Sequence, residues 1–266
     1  MTLTDAAIED ALHGLTARAP ERLRPNVLVD IGLADQFAAI DSPIGPLVVA
    51  WNGRGVSAVD GTSGDPAEYA ARHQARTGRP AYPAEALPPR LADAIDRRLG
   101  GDRRVRIKLD LRGHTAFEQD VWHKALEIPR GEVRPYGWIA AEIGRPRAVR
   151  AVGTALGHNP VPLIVPCHRV VRTDGTIGQY SLGGPENKRT ILAAEGLDPD
   201  AMEDAARRGE RLIGCASTHI VCWPSCHTGR RMLARNRRPF RSLAEAADAG
   251  YRPCKVCRPV AAPLAA

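Results

Sequence analysis

The apolar positions in the first half of the chain come in short runs separated by turn residues. Leu47–Trp51 and Val56–Val59 flank Asn52-Gly53-Arg54-Gly55, and an apolar stretch from Phe37 runs into Ile40-Asp41-Ser42-Pro43-Ile44-Gly45-Pro46. Runs of this length between Gly, Pro and Asn clusters predict β-strands joined by tight turns. Ahead of them, residues 1–35 read as a weakly ordered extension with one helix over Thr4–Ala17. Segments 65–77 and 84–99 are predicted as helices, and Val105–Leu109 alternates as a strand does. The period then changes. Phe117, Val121, Trp122 and Leu126 share one helical face, Tyr136–Gly144 is a short amphipathic helix stopped by glycine, and Arg147–Leu156 follows Arg145-Pro146 as a second helix. Two short helices around a Gly-containing turn form a helix-turn-helix candidate, although many helical hairpins bind nothing. Thr173-Asp174-Gly175 predicts a hairpin turn within Val170–Gly178. Glu186–Glu195 reads as a helix ended by Gly196, and residues 197–210 as a polar linker.

A chain of 266 residues, 44% of them hydrophobic, can bury a core in one large domain or in two to three small ones. No run of 18 apolar residues occurs, so no membrane span is expected. The start, Met1-Thr2-Leu3-Thr4-Asp5 followed by Glu9 and Asp10, lacks the basic region and apolar centre of a signal peptide. A cytoplasmic protein is expected, and there the six cysteines are thiols or metal ligands rather than disulfides. The net charge of +7 is unevenly placed. Residues 1–200 carry 25 Lys and Arg against 25 Asp and Glu, whereas residues 201–266 carry 12 against 5, together with five of the six cysteines. This break near residue 200 implies a separate basic module. Basic modules favour polyanions such as nucleic acid; the alternative is an arginine-rich surface without a partner.

Two groups of residues carry chemistry. The apolar run Leu163-Ile164-Val165 delivers Pro166-Cys167-His168-Arg169-Val170. Cysteine is a strong nucleophile as its thiolate, and His168 stands one residue away as a base. Neighbours on a strand point to opposite faces, so the pair cooperates only on an irregular backbone; a buried cysteine beside an exposed histidine is the other reading. In the basic module, Cys222-x3-Cys226 and Cys254-x2-Cys257 form two close thiol pairs 27 residues apart, the donor set of a tetrahedral Zn2+. Cys215 falls outside the pairs and reads as a buried thiol.

Phe117-Glu118-Gln119-Asp120-Val121-Trp122, Tyr136-Gly137, Arg147-Ala148-Val149-Arg150-Ala151-Val152, the run from Asn159-Pro160 to Val170-Val171, Gly178-Gln179-Tyr180-Ser181, and Lys188 to Glu195-Gly196 together resemble the O6-alkylguanine-DNA alkyltransferase (methylated-DNA–protein-cysteine methyltransferase) family. Residues 40–59 also look like that family's N-terminal domain. The resemblance implies an α/β (α+β) chain in parts: an extension over 1–35, a ribonuclease-H-like domain over 36–112, and a winged helix-turn-helix catalytic domain over 113–200. It implies single-turnover transfer of an alkyl group from O6 of guanine to Cys167, without a cofactor. His168 takes the thiol proton, oriented by Glu195. Asn159 braces the turn and Tyr136 reaches the base. Arg150 fills the stack vacated by the flipped nucleotide, with Arg147 also on the DNA, and Tyr180 and Ser181 close over the base. Read locally, Tyr136 only starts a helix, Asn159 only caps one, and Arg150 only binds phosphate.

Ser217-Thr218, Cys222-x-Pro224-Ser225-Cys226 and Ala244 through Pro259 resemble the metal-binding domain of the bacterial Ada protein, over residues 201–266. In that family the first zinc cysteine, here Cys222, accepts a methyl group from a DNA phosphotriester. A purely structural or DNA-binding zinc module is the alternative, and Trp223 departs from the arginine many relatives carry. The expected partner is double-stranded DNA carrying alkylated guanine, bound by a monomer away from membranes. The competing hypothesis is a non-catalytic lesion-binding or regulatory DNA-binding protein, which has no use for Cys167, His168 and Glu195 together.

Overall fold

The computed structural model describes residues 23–62 and 64–261; the helix expected over Thr4–Ala17 lies outside them. Helix α1 (Leu23–Asp30) leads into strands β1 (Asp35–Ile40), β2 (Leu47–Asn52) and β3 (Gly55–Gly61). The β2–β3 turn needs glycine at Gly55, where φ is +143° and a Cβ would stand 2.4 Å from the Lys108 carbonyl oxygen. Helix α2 (Pro66–Thr77) starts at Asp65, whose carboxylate accepts from the Ala67 amide, with proline in its first turn; it stops at Gly78 in the left-handed region. Strand β4 (Ala81–Pro83) follows, then helix α3 (Pro89–Leu99), which begins five residues later than the sequence pattern suggests. The sheet order is β3-β2-β1-β4, antiparallel except for the β1–β4 pair.

Strand β2 is buried along its whole length, and its period of two sorts its side chains. Val48 and Ala50 pack under α2 with Phe37, Ala58 and Tyr69. Leu47, Val49 and Trp51 point the other way, into the main core shared with the helices that follow. Across the sheet, buried Asp35 accepts hydrogen bonds from Asn52, Ser57, His73 and Arg79. These outweigh the burial that would raise its pKa and hold the carboxylate far below its ordinary range.

Helix α4 (Ala116–Ala125) opens with a capping box, in which Thr115 and Glu118 satisfy each other's backbone amides. Its Trp122 is fully buried and donates from Nε1 to the Ala155 carbonyl at 2.8 Å. Strand β5 (Arg134–Pro135), helix α5 (Tyr136–Glu142) and helix α6 (Val149–Gly157) come next. A 3-10 turn at Cys167–Arg169 leads into β6 (Val170–Val171), parallel to β5, and helix α7 (Gly184–Ala194) completes this part. Val121, Trp122, Ile139, Val152 and Ile164 join the sheet's inner face in one core.

Two expectations change. Val105–Leu109 forms no ladder; only Leu109 bridges to Val56. Residues 197–210 hold a helix, α8 (Pro199–Arg207), started by Asp198, which accepts from the Ala201 amide, and by Pro199 in its first turn. The turn at Thr173–Gly175 is present, but the chain after it pairs with no strand.

The last part is a small sheet, β10-β8-β7-β9, built from β7 (Leu212–Cys215), β8 (Ile220–Cys222), β9 (Arg237–Phe240) and β10 (Arg252–Pro253). Short helices α9 (His227–Arg230) and α10 (Leu243–Asp248) accompany it, around a core of Leu212, Val221, Trp223, Phe240 and the four paired cysteines. No described helix is long and apolar enough to cross a membrane.

Candidate active site and metal centre

The run Pro160–Pro166 is irregular, and Leu163 sits at φ +69°, a conformation strained for a residue with a Cβ. This brings Cys167 to a 3-10 turn rather than a strand. Adjacent side chains there need not point to opposite faces, and Cys167 and His168 both turn inward, 5% and 1% exposed. Asn159, 7% exposed, follows α6. Its Nδ2 donates to Cys167 Sγ at 3.1 Å and to the Val165 carbonyl at 3.0 Å, while its Oδ1 accepts from the Val161 amide. One amide therefore ties both ends of the loop and touches the sulfur.

His168 Nε2 lies 3.1 Å from Glu195 Oε1. Glu195 also accepts from Arg169 Nε and Nη2, the latter at 2.6 Å, and from the Gly131 amide. Burial alone would raise this carboxyl. The bonds from His168 and Arg169 outweigh it and hold the pKa at about 2. Burial lowers His168, against the opposing pull of Glu195. The two directions agree if His168 is neutral and donates from Nε2, with Arg169 supplying the lasting charge. That tautomer leaves Nδ1 with a free lone pair, and Nδ1 is buried without a hydrogen-bond partner.

Burial also raises the Cys167 thiol, opposed by the Asn159 bond and by the charge of Lys188. Lys188 is fully buried. Its Nζ donates to the Val170 carbonyl at 2.6 Å and the Gln179 carbonyl at 3.3 Å, and burial pulls its pKa down to about 8. Tyr136 is half-buried at the start of α5, and its pKa is raised by burial and then by the Cys167 thiolate. Tyr180 is buried with an unpartnered hydroxyl, its ring edge-on to His168 at 6.2 Å. Ser181, Arg147 and Arg150 are exposed, the arginines on and before α6. Arg169, Lys188 and Gly131 were given no role from the sequence. Arg169 stands in the Cys-His run, but its ion pair spans 26 residues and leaves no local signal.

In the small sheet, Cys222, Cys226, Cys254 and Cys257 are buried, with sulfurs all within 4.8 Å of one another. The Trp223 amide donates to Cys257 Sγ at 3.4 Å. Four converging thiols with a backbone donor aimed at one sulfur fit a tetrahedral Zn2+ and no disulfide pattern. Cys215 lies apart, buried, its pKa lowered to about 7 by the Ser217 and Thr218 hydroxyls.

The two parts of the chain are each similar to known proteins. Residues 116–197 match the family described as "6-O-methylguanine DNA methyltransferase, DNA binding domain", and residues 201–260 the one described as "Metal binding domain of Ada". A methylated-DNA–protein-cysteine methyltransferase of Mycobacterium tuberculosis is 41% identical over 160 residues, 60% of this chain and 91% of that protein. The regulatory protein Ada of Salmonella typhimurium is 36% identical over 175 residues, 65% of this chain and 48% of that protein. The crystal structure of a variant of the M. tuberculosis O6-methylguanine methyltransferase, 37% identical, superposes with a TM-score of 0.50 over 60% of this chain and 92% of that one. The chain belongs to the methylated-DNA–protein-cysteine methyltransferase family and carries an Ada-type zinc-binding domain behind its alkyltransferase segment.

Proposed function

We propose that the protein repairs duplex DNA by moving the methyl group of O6-methylguanine to Cys167, once per molecule. The observation that carries this reading is the buried relay Cys167–Asn159 and His168–Glu195, with an open lone pair on His168 Nδ1. His168 accepts the Cys167 proton, through a bridging water. Asn159 and Lys188 stabilise the thiolate in a site that would otherwise disfavour it. The sulfur attacks the methyl carbon, the S–C bond forms as the C–O6 bond breaks, and the electron pair leaves on guanine. The Tyr136 hydroxyl donates to the departing base. The thioether is stable, so the protein is consumed.

The target atom lies inside the duplex, so the nucleotide must turn out of the stack. Residues 113–200 act as a winged helix-turn-helix whose second helix is α6. Exposed Arg150 fills the vacated space, Arg147 holds phosphate, and Tyr180 and Ser181 close over the base. Residues 36–112 correspond to a ribonuclease-H-like domain, residues 1–35 to an extension, and residues 201–266 to the zinc module. The protein acts as a monomer in the cytoplasm. In the zinc module Cys222, Cys226, Cys254 and Cys257 would hold the ion, which would supply the charge that keeps the four thiols ionised and folding energy to a small core. Cys222 is buried, as the acceptor Cys167 is, so burial does not separate methyl acceptance from a phosphotriester at Cys222 from a structural or DNA-binding role, and methyl-phosphotriester DNA as substrate decides between them.

Intact-mass spectrometry with peptide mapping tests these assignments. Zinc-loaded protein is incubated separately with O6-methylguanine duplex and with methyl-phosphotriester DNA. One methyl group on Cys167 from the first is the expected result. No methyl there would leave a lesion-binding protein in place of an enzyme, and a methyl on Cys222 from the second would make the chain a dual acceptor.

A further inference from the structure

The zinc module is docked on the catalytic part through specific, buried contacts with one short segment, Ile128–Arg134, between α4 and β5. Ser225, 6% exposed, accepts from the Val133 amide at 2.9 Å and donates to the Val133 carbonyl at 3.2 Å. The His227 amide donates to Glu132 Oε1 at 3.0 Å. Glu132, 2% exposed, accepts from Arg134 Nη2 on its other oxygen at 2.5 Å. Outside this knot, Arg258 pairs with Glu142 at 2.5 Å and lies over the Trp138 ring.

The same segment faces the active site. The Ile128 carbonyl accepts from Arg169 Nη1 at 2.8 Å, and the Gly131 amide donates to Glu195 Oε2 at 3.2 Å. Gly131 stands at φ +71°, and a Cβ there would sit 3.0 Å from the Glu195 carbonyl oxygen and 3.4 Å from the Arg230 guanidinium. A single backbone stretch is thus gripped from one side by residues flanking zinc ligand Cys226 and from the other by Glu195, the partner of His168, and by Arg169. In a close-packed interior such a stretch does not move at one end alone.

We infer that Ser225 and Glu132 are positioning residues for the Glu195–His168 pair, so that the folded state of the four-cysteine site sets the efficiency of methyl transfer at Cys167. The inference rests on the proposed roles of His168 and Glu195. The turn Cys222–Cys226 places the Ser225 hydroxyl between two backbone groups of Val133. When the turn loosens, those groups lose their partner, the segment slackens, and the Gly131 amide and Ile128 carbonyl drift from Glu195 and Arg169. His168 then loses the carboxylate that favours its protonated form, and its pKa falls further.

The test uses the full zinc-loaded chain. Single-turnover methyl transfer from O6-methylguanine duplex is followed across pH, alongside zinc content, DNA affinity and deuterium uptake of the 128–134 segment. Ser225→Ala is expected to slow transfer about tenfold, equivalent to about 1.4 kcal/mol of barrier. Zinc content and DNA affinity stay unchanged, the segment exchanges faster, and the acid limb of the rate profile moves to lower pH. Glu195→Gln is the benchmark. If it leaves the acid limb in place, the His168–Glu195 reading is wrong, whatever Ser225→Ala does. If it moves the limb while Ser225→Ala, with its zinc retained, leaves limb and rate unchanged, Ser225 only glues two domains together and the inference is overturned. Should Ser225→Ala shed its zinc, Glu132→Gln decides by the same readings.

Discussion

Glu195→Gln is the most demanding test of the site. The carboxylate accepts from His168, from two nitrogens of Arg169 and from the Gly131 amide. Arg169 is 5% exposed, and beyond Glu195 its guanidinium donates to the Ile128 carbonyl. A glutamine turns an amide NH2 towards that guanidinium and leaves a buried cation without its counter-charge. Removing one partner of a buried pair costs about 3–5 kcal/mol. The carboxyl's descent from an ordinary 4.5 to about 2 gives a similar figure, about 3 kcal/mol in favour of the folded, ionised form. For a chain of this size a 3 kcal/mol loss lowers Tm by about 6–12 °C. Because the folded pKa is depressed, this stability is fully present above pH 4.5 and is lost as pH falls towards 2. The gap between the wild-type and variant melting curves should therefore be full at pH 7 and shrink to about a quarter of that, about 0.8 kcal/mol, by pH 2.5. Repair should slow about a hundredfold or more, because the base His168 loses the carboxylate that orients it. Calorimetric scans at the two pH values and a single-turnover assay at pH 7 suffice. Equal Tm at pH 7, or a gap at pH 2.5 as wide as at pH 7, would refute the charge assignment.

Asn159→Ala removes the donor to Cys167 Sγ and the tie to Val165, and should slow methyl transfer at least about tenfold, the worth of a hydrogen bond to a charged group. The thiol's ionisation midpoint should rise, seen as thiolate absorbance appearing at higher pH. Lys188→Met withdraws the buried cation facing that thiolate and should raise the same midpoint; in the wild type, repair should decline above pH 8 as Lys188, at about 8, loses its proton. A midpoint unmoved in Lys188→Met would remove Lys188 from the electrostatics of the site. Arg150→Ala alters an exposed side chain on α6, so the melting temperature should hold while the repair rate falls; DNA binding should lose about one phosphate's worth of salt dependence if Arg150 only neutralises charge, and keep its slope if it fills the stack.

How far the sequence could be read depended on the range of each signal. The unbroken apolar run Leu47–Trp51 reports a strand buried on both faces, because β2 lies inside the sheet and each neighbour pair divides between two cores. The paired cysteines of the zinc module are short-range and chemically unambiguous. Val105–Leu109 has the strand period but follows a cleft lined by Arg98, Arg103 and Arg106, and beyond Leu109 it finds no ladder. Residues 197–210 looked like a linker because their polarity hid a start signal, Asp198-Pro199, that was present in the sequence. Glu132 and Ser225 were beyond reach for another reason. A glutamate is normally a surface residue, and nothing local marks one that is 2% exposed, or a serine whose partner lies 92 positions away.

The adjacency of Cys167 and His168 shows why fold and chemistry had to be read together. On a strand the two would face apart, and one of them would be idle. The fold avoids this by holding Leu163 in a left-handed conformation and bending Pro166–Arg169 into a 3-10 turn, closed by the Arg169 amide on the Pro166 carbonyl. Cys167 is then met by Asn159, which enters from the end of α6, and His168 by Glu195, which enters from the end of α7. Each helix terminus supplies one second partner, and each partner fixes one proton: Asn159 directs an N–H at the sulfur, and Glu195 selects the imidazole tautomer that leaves Nδ1 open. The side chain that closes the strained loop, Asn159 on the Val165 carbonyl and Val161 amide, is also the one that touches the sulfur, so loop geometry and the setting of the thiol are fixed together.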